Sequence, residues 1–305
     1  MRVLIAGCGY LGLEAGRRLA RAGHEVWGLR RHPGPVLAAW QSAGIRPLAA
    51  DLTRPETLAP LPRAFEAVVQ AVSAAGGGPA AYPAAYLETT TRLLAWLDPG
   101  PLRCLVYTGS TRVYGQADGG WVDETAPTRP AGDTGRLLLA AEQLLLDAHR
   151  TAGWPVTLLR LAGLYGPGRS RLLDQFLSGE ADPGPTADHW LNLIHRDDAA
   201  AALVAVVEAP RPGAIFNVAD GQPATRRQVF EWLAGRTGRR WPAGPGETSP
   251  AAVAGRARAS GHKRVANGAL RAAYGWSPAF PSFREGYGAL LTDGPRLAGT
   301  PQHPA

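Results

Sequence analysis

An α/β fold on a doubly wound parallel sheet is what the sequence predicts, from three observations. Short apolar runs alternate with amphipathic stretches through the first half of the chain. The runs are continuous rather than alternating, as in strands covered on both faces. The first run ends in a glycine-rich turn that opens a helix, the local context of a phosphate-binding loop.

The elements follow in order. Val3-Leu4-Ile5-Ala6 reads as a buried strand. Tyr10 to Arg21 reads as a helix with Leu11, Ala15, Leu19 and Ala22 on one face. Gly23 punctuates before a second strand, Glu25 to Leu29; Arg46 to Ala50 is a third and Ala67 to Val72 a fourth. A helix from about Ala84 to Leu97 stops at Asp98-Pro99-Gly100. Arg103 to Tyr107 is a fifth strand, a long helix runs from about Asp133 to Ala152, and Val156 to Arg160 is a sixth strand. Strands separated by helices imply right-handed crossovers and a parallel sheet covered on both faces. Residues 1–165 are therefore expected to form a Rossmann-type domain, its sheet completed by a strand near 214–219. Beyond it helices dominate (Arg171 to Leu177, Asp197 to Val207, Arg226 to Gly235), so 166–291 is expected to be a smaller, mostly helical substrate lobe. Within it a Pro- and Gly-rich stretch, 242–261, reads as a mobile loop, and 292–305 reads as a flexible tail.

Composition narrows the class. Of 305 residues, 45% are hydrophobic and 19% charged, which excludes a disordered chain. No apolar run reaches the roughly 18 residues of a membrane span. The N-terminus runs straight into the glycine turn with no signal-peptide pattern, and Cys8 and Cys104 are too few for a disulfide framework or a four-cysteine zinc site. A cytoplasmic protein without metal or membrane attachment is the expectation. The net charge is +7, but the basic residues are scattered, which speaks for a small anionic ligand rather than nucleic acid. Lys263 is the only lysine among the 32 basic residues.

Gly7-Cys8-Gly9-Tyr10-Leu11-Gly12 is the G-x-G-x-x-G pattern between strand and helix. Gly7 allows the tight turn, Gly9 lets a pyrophosphate reach the backbone, and Gly12 lets the helix pack on the sheet. The amides of Tyr10 and Leu11 belong to that helix start, where free N–H groups and the dipole favour an anion. At the end of the second strand an acidic residue would suit NAD; this chain has Arg30-Arg31, whose guanidiniums suit a 2′-phosphate. NADP is the expected cofactor, with NAD the alternative, and a solvated arginine pair is the plainer reading. Asp51-Leu52 ends the third strand and is placed to contact adenine; Asp51 equally suits a cap for the helix near Pro55.

These segments, with several later ones, resemble the atypical and extended short-chain dehydrogenase/reductases, the NAD-dependent epimerase/dehydratase group. The resemblance is carried by the glycine turn, by Val106 to Gly115 closing in Val113-Tyr114-Gly115, and by Arg160 to Gly168 with Tyr165-Gly166-Pro167-Gly168. Asn192 to Asp198, Phe216-Asn217-Val218 and Gly275-Trp276-Ser277-Pro278 follow in the expected order. It implies a dinucleotide cofactor and a small-molecule substrate, often a nucleotide sugar. By position Ser110 matches the catalytic Ser/Thr, Ala71, Val72 and Ser73 match the segment under the cofactor, and Ala162, Gly163 and Leu164 match the loop beside the nicotinamide. The glycine turn is one residue shorter than the family's. The Tyr-x-x-x-Lys pair is missing: Thr134 and Leu138 stand at its positions, and Arg136 nearby faces away from them. Tyr165 and Tyr114 are therefore the substitute proton donors considered, Ser110, Tyr114, Arg169 and His195 the substrate contacts, and Arg171 and Arg264 further cations for an anionic substrate. Each has a plainer reading as packing, helix capping or a solvated charge. Relatives often dimerise through the helices after strands four and five, so a homodimer using Leu137, Leu144 or Leu145 is a possible assembly. The expected function is hydride transfer on an alcohol or carbonyl; a catalytically silent NADP-binding sensor is the alternative.

Overall fold

The structure, a computed structural model, describes residues 1–74, 79–181, 184, 186–241 and 261–292. The chain opens with β1 (Arg2–Ala6), α1 (Tyr10–Arg21), β2 (Glu25–Arg30), α2 (Leu37–Ser42), β3 (Ile45–Ala49), α3 (Pro55–Leu58) and β4 (Ala67–Gln70). It continues through α4 (Thr89–Trp96), β5 (Cys104–Ser110), β6 (Trp121–Val122), α5 (Asp133–Ala152) and β7 (Val156–Leu161). Then come β8 (Gly163–Tyr165), α6 (Arg171–Leu177), β9 (Trp190–Leu191), β10 (Leu193–His195), α7 (Arg196–Glu208), β11 (Ile215–Val218), β12 (Ala224–Thr225), α8 (Arg226–Thr237) and β13 (Arg264–Val265). Helices Gly268–Tyr274 and Phe283–Thr292 follow.

Seven strands form one parallel sheet in the order β11-β7-β5-β4-β1-β2-β3, as the apolar runs predict. The order reverses direction beside β1, so β1 and β4 flank the switch point where such sheets place a ligand. One face is covered by α1 and α7, whose Leu11, Ala15, Ala199 and Leu203 pack on Val3 and Ile5. The other carries α4 and α5, with Leu93, Ala141 and Leu145 on Leu4, Val68 and Leu105. A third core, built from Leu173, Phe176, Phe230, Phe283 and Tyr287, belongs to α6, α8 and the last helix. Thus α7 and β11 complete the sheet layer although they lie within 166–291. The stretch 242–261, apart from Gly261, and all of 292–305 except Thr292 lie outside the described residues.

Local chemistry explains the element ends. Gly153 takes φ +70 directly after α5, a left-handed stop that glycine accepts without strain. Thr225 and Gln228 form a reciprocal capping box on α8. Two expectations need correction. The helix expected from Ala84 to Leu97 is a π-helical segment over Pro83–Glu88 that becomes α-helical only at Thr89. The hydroxyls of Thr89, Thr90 and Thr91 donate to the carbonyls of Ala85, Tyr86 and Leu87, competing with the helical ladder where it widens. Asp51 does not cap α3, whose N-cap is Arg54; its carboxylate accepts from the amide and hydroxyl of Thr53 at 3.0 and 2.7 Å.

Candidate active site

The glycine turn sits on the switch point. Gly7 adopts φ +85, and a Cβ there would lie 2.6 Å from the Val72 amide nitrogen, so Ala71-Val72 runs directly beneath the turn. The amides of Gly7 and Cys8 both donate to the Leu29 carbonyl, at 2.9 and 3.1 Å, which locks the turn to the end of β2. At Gly12 a Cβ would lie 2.9 Å from both the Gly7 carbonyl and Ile5 Cγ2, so α1 rests on β1 at closest approach. Gly9 differs: a Cβ would have only the Gly7 carbonyl within 4 Å, at 3.9 Å. The backbone there faces open space. Gly9 also opens α1, which has neither a side-chain cap nor an acidic residue in its first turn. The amides of Tyr10, Leu11 and Gly12 therefore present an uncompensated positive helix end. A cradle shaped this way fits a diphosphate, with the amides as donors.

The flanking residues have separate placements. Arg30 ends β2 close enough to Cys8 for its charge to oppose the burial that pushes that thiol up to about 12. Burial also works against ionisation of Asp51, but the Thr53 hydroxyl and amide, with Arg31 and Arg54, hold it below its usual value. Arg30, Arg31 and Asp51 thus form one rim beside the turn, while the Leu52 side chain is turned into the core against Leu48 and Leu58. Ser73 is exposed just past Val72. Ala162 donates its amide to the Val218 carbonyl at 2.9 Å, and Gly163 and Leu164 lie in β8, paired with β10.

Tyr10 carries a hydroxyl that is buried with no hydrogen-bond partner among the described residues. Arg169 and Arg196 stand against its ring, 5.5 and 5.3 Å from the centroid. Burial pushes its phenol up to about 12, against the pull of both arginines. Arg169 therefore lies beside the helix start and the cradle.

Ser110 ends β5 and caps the short turn after it, its Oγ accepting from the Arg112 amide at 3.3 Å. It is partly exposed. The two tyrosines singled out from sequence are placed otherwise. Tyr114 is 2% exposed; its hydroxyl donates to Asn217 Oδ1 and accepts from Arg160 Nη1, both at 2.9 Å. Arg160 also forks onto the buried Glu142 carboxylate, with Nη2–Oε2 at 2.8 Å. Tyr165 lies in the lobe core, 4.8 Å ring to ring from Tyr287 and edge-on to His195, and burial drives its phenol well above the usual range. His195 is buried as well: its Nδ1 accepts from the Asp197 amide at 3.3 Å, capping α7, and burial lowers its pKa. The structure brings Ser110 and the glycine turn to the switch-point end of the sheet but places Tyr114, Tyr165 and His195 inside the protein. The cause is local. Tyr114 follows the one-turn 3-10 helix Thr111–Val113, which rolls it inward, and β8 carries Tyr165 beneath the last helix, where a Cβ at Gly286 would lie 1.9 Å from its hydroxyl. Leu138 is buried and Thr134 half-buried at the vacated pair positions, and Arg136 pairs instead with Asp133.

Two groups were not singled out from sequence. Tyr86, half-buried on the π segment, lies within electrostatic reach of Arg112 and Arg169; burial raises its phenol, and the Ala74 amide opposes. Its only sequence signal was a break in helical spacing at Pro83. The second is the Glu142–Arg160–Tyr114 network directly below Ser110, where a Cβ at Gly109 would lie 3.1 Å from Glu142 Oε1. Among the described residues, no group of three or more His, Cys, Asp or Glu side chains is arranged to hold a metal ion. Among them also, no helix is long and apolar enough to cross a membrane.

A parallel sheet with this strand order and a bare glycine-turn helix start at its switch point define an α/β protein of the dinucleotide-binding type. The chain belongs to the NAD dependent epimerase/dehydratase family, whose model matches residues 3–219. It is 33% identical over 237 residues to protein YeeZ of Escherichia coli strain K12, covering 75% of this chain and 81% of that protein. It is 28% identical over 257 residues to a dTDP-6-deoxy-L-talose 4-dehydrogenase (NAD(P)(+)) of Kitasatospora kifunensis, covering 77% and 78%. The solved structure of a putative NAD-dependent epimerase/dehydratase from Methylobacillus flagellatus is 37% identical, with a TM-score of 0.77 over 96% of this chain and 98% of that one.

Proposed function

We propose that this protein is an NADP-dependent oxidoreductase of the epimerase/dehydratase type, acting on an alcohol or carbonyl of an anionic small molecule such as a nucleotide sugar. The observation that carries the reading is the Gly9 cradle: open space at Gly9 joined to an uncapped helix start. The amides of Tyr10, Leu11 and Gly12 would hold the diphosphate against the open Gly9 backbone, whose own amide donates to the Gly7 carbonyl at 2.7 Å; Arg30 and Arg31 would hold the 2′-phosphate and Asp51 the adenosine end. Ala71, Val72 and Ser73 would lie under the cofactor, and Ala162 to Leu164 beside its nicotinamide. A bound nicotinamide supplies hydride chemistry at that position. The dTDP-sugar dehydrogenase among the relatives supports the substrate class.

Ser110 holds the reacting oxygen by hydrogen bond. Tyr86, half-buried within electrostatic reach of Arg112 and Arg169, is the phenol that exchanges the proton, because the hydroxyl of Tyr114 is committed to buried partners and that of Tyr165 is sealed beneath the last helix. Tyr114 and Tyr165 then act by positioning: one braces the Ser110 turn through Arg160, the other braces β8. Arg169, beside Tyr10, contributes positive charge toward an anionic substrate. The half-buried Leu137 and Leu144 on α5 are the surface for a homodimer, whereas Leu145 faces the sheet. The test is turnover: the purified protein with NADPH and a panel of ketones, aldehydes and nucleotide sugars. Oxidation of NADPH with at least one of them, reduced about a hundredfold by Ser110→Ala, is expected. Tight NADPH binding without turnover of any substrate would replace this reading with that of a redox sensor.

A further inference from the structure

The ring of Tyr10 carries two cations from distant parts of the chain. Arg169 lies in the turn before α6 and Arg196 opens α7, yet their guanidinium carbons lie 5.5 and 5.3 Å from one point, the centroid of that ring. The backbone seats Arg169 there. Gly166 and Arg169 exchange amide-to-carbonyl bonds of 3.0 Å each, and the Ser170 hydroxyl donates to the Gly166 carbonyl at 2.9 Å. Gly166 has φ +149, and a Cβ on it would lie 2.8 Å from Tyr10 Oη and 3.2 Å from Arg196 Cβ. Only glycine lets this turn rest on Tyr10.

Charge at this spot is not balanced. Arg196 donates through Nε to Asp197 Oδ1 at 2.8 Å, and its side chain makes no other hydrogen bond among the described residues. Arg169 is exposed, and among the described residues its side chain makes no hydrogen bond or ion pair. Tyr10 is also the first residue of α1, whose start has neither a side-chain cap nor an acidic first turn. Two guanidiniums and a bare helix end therefore meet a single carboxylate, that of Asp197. Stacking on an aromatic face fixes the plane of a guanidinium and leaves its edge N–H groups free to fork onto an oxyanion. We propose that Arg169 and Arg196, seated on the Tyr10 ring, bind a phosphate group beside the glycine turn, either the diphosphate of the dinucleotide or a phosphate of the substrate. This rests on the reading that the Gly9 cradle takes a dinucleotide. It differs from the role of Arg30 and Arg31, because a clamp on the diphosphate serves NADPH and NADH alike.

Two measurements on wild type, Arg169→Gln and Arg196→Gln test it: fluorescence titration with NADPH and with NADH, and thermal melts with inorganic phosphate at saturating NADPH. Chloride holds the ionic strength constant, and Arg236→Gln, at an exposed arginine of α8, controls for net charge. If the group is the cofactor's, Arg169→Gln should weaken NADPH and NADH equally, about tenfold, and phosphate should leave the melting temperature of the NADPH complex unchanged. If it is the substrate's, both dinucleotides should bind Arg169→Gln as they bind wild type. Phosphate should then raise the wild-type melting temperature saturably, with an apparent affinity about tenfold weaker in Arg169→Gln. Arg196→Gln should move the same measurement in the same direction, and its ligand-free melt reports whether freeing Asp197 disturbs the fold. The exposed Arg169 decides the outcome: Arg169→Gln matching wild type in both measurements, or Arg236→Gln losing as much as Arg169→Gln, would overturn the proposal. If wild type binds neither dinucleotide, the cofactor reading fails instead, and the phosphate melts run without nucleotide on wild type and Arg169→Gln still decide this one.

Discussion

Beneath Ser110, Glu142 and Arg160 share a water-poor space, with side-chain exposures of 1% and 4%. The fork of Arg160 onto the carboxylate satisfies both charges, and its remaining nitrogen meets Tyr114. Removing one partner leaves an unpaired buried charge, whereas replacing both removes the desolvation as well. Glu142→Ala should therefore lose about 3–5 kcal/mol in urea denaturation, and Glu142→Leu with Arg160→Met should recover most of it. If the single and double variants were equally unstable, the pair would matter only through packing. Asp220 is a second buried acid, 5% exposed, with one oxygen unpartnered among the described residues. Burial raises it to about 7 against the Gln222 amide, and Asp198 and Glu285 add repulsion. A carboxyl that is harder to ionise in the folded state than in the unfolded chain costs stability as pH rises. The cost begins near the ordinary aspartate value of about 4 and is complete above about 7. Asp220→Asn should accordingly raise the melting temperature at pH 8 and leave it unchanged at pH 4. The same gain at both values would mean that the effect is not protonation.

At the scale of elements, β2 and the glycine turn act as one unit because the Leu29 carbonyl receives two turn amides. That linkage places Arg30 and Arg31 at a fixed distance from the cradle. Arg30→Ala with Arg31→Ala should weaken NADPH binding at least roughly tenfold more than NADH binding, since only NADPH carries the 2′-phosphate. Equal losses in fluorescence titrations would assign the pair to the solvent. Elements of this kind were legible in the sequence because their apolar periodicity is strong. The helix Tyr10–Arg21 and the strands at β1, β2 and β7 appear within a residue or two of their expected ends. What was hidden depends on contacts between distant residues. The π segment at Pro83–Glu88 coincides with back-bonding from the hydroxyls of Thr89, Thr90 and Thr91, which leaves no period in the sequence. The two-residue strands β6, β9, β12 and β13 exist only as pairs.

Across the whole molecule, chemistry collects where the sheet changes direction, and residues far apart in sequence become neighbours there: Gly7 with Val72, and Tyr10 with Arg169 and Arg196. Sequence spacing exposes the first partner of each set, because a glycine turn or a strand-end serine has a local signature. It does not show whether a tyrosine points outward, which is why Tyr114 and Tyr165 looked available and Tyr86 did not. Their orientation is decided by the one-turn helix after Ser110 and by the last helix closing over β8. Positive charge gathers at this end too, with Arg169 and Arg196 both against the Tyr10 ring at the start of α1.

The central claim is that the open backbone at Gly9 receives a diphosphate. The most direct measurement is calorimetric titration of NADPH into wild type and Gly9→Val, with melting curves of both. Gly9 has room for a side chain, the melting curves report whether the variant keeps its fold at φ −107 and ψ −137, and its NADPH affinity should fall at least about tenfold while the folded state persists. NADPH binding to Gly9→Val as tightly as to wild type would contradict the account.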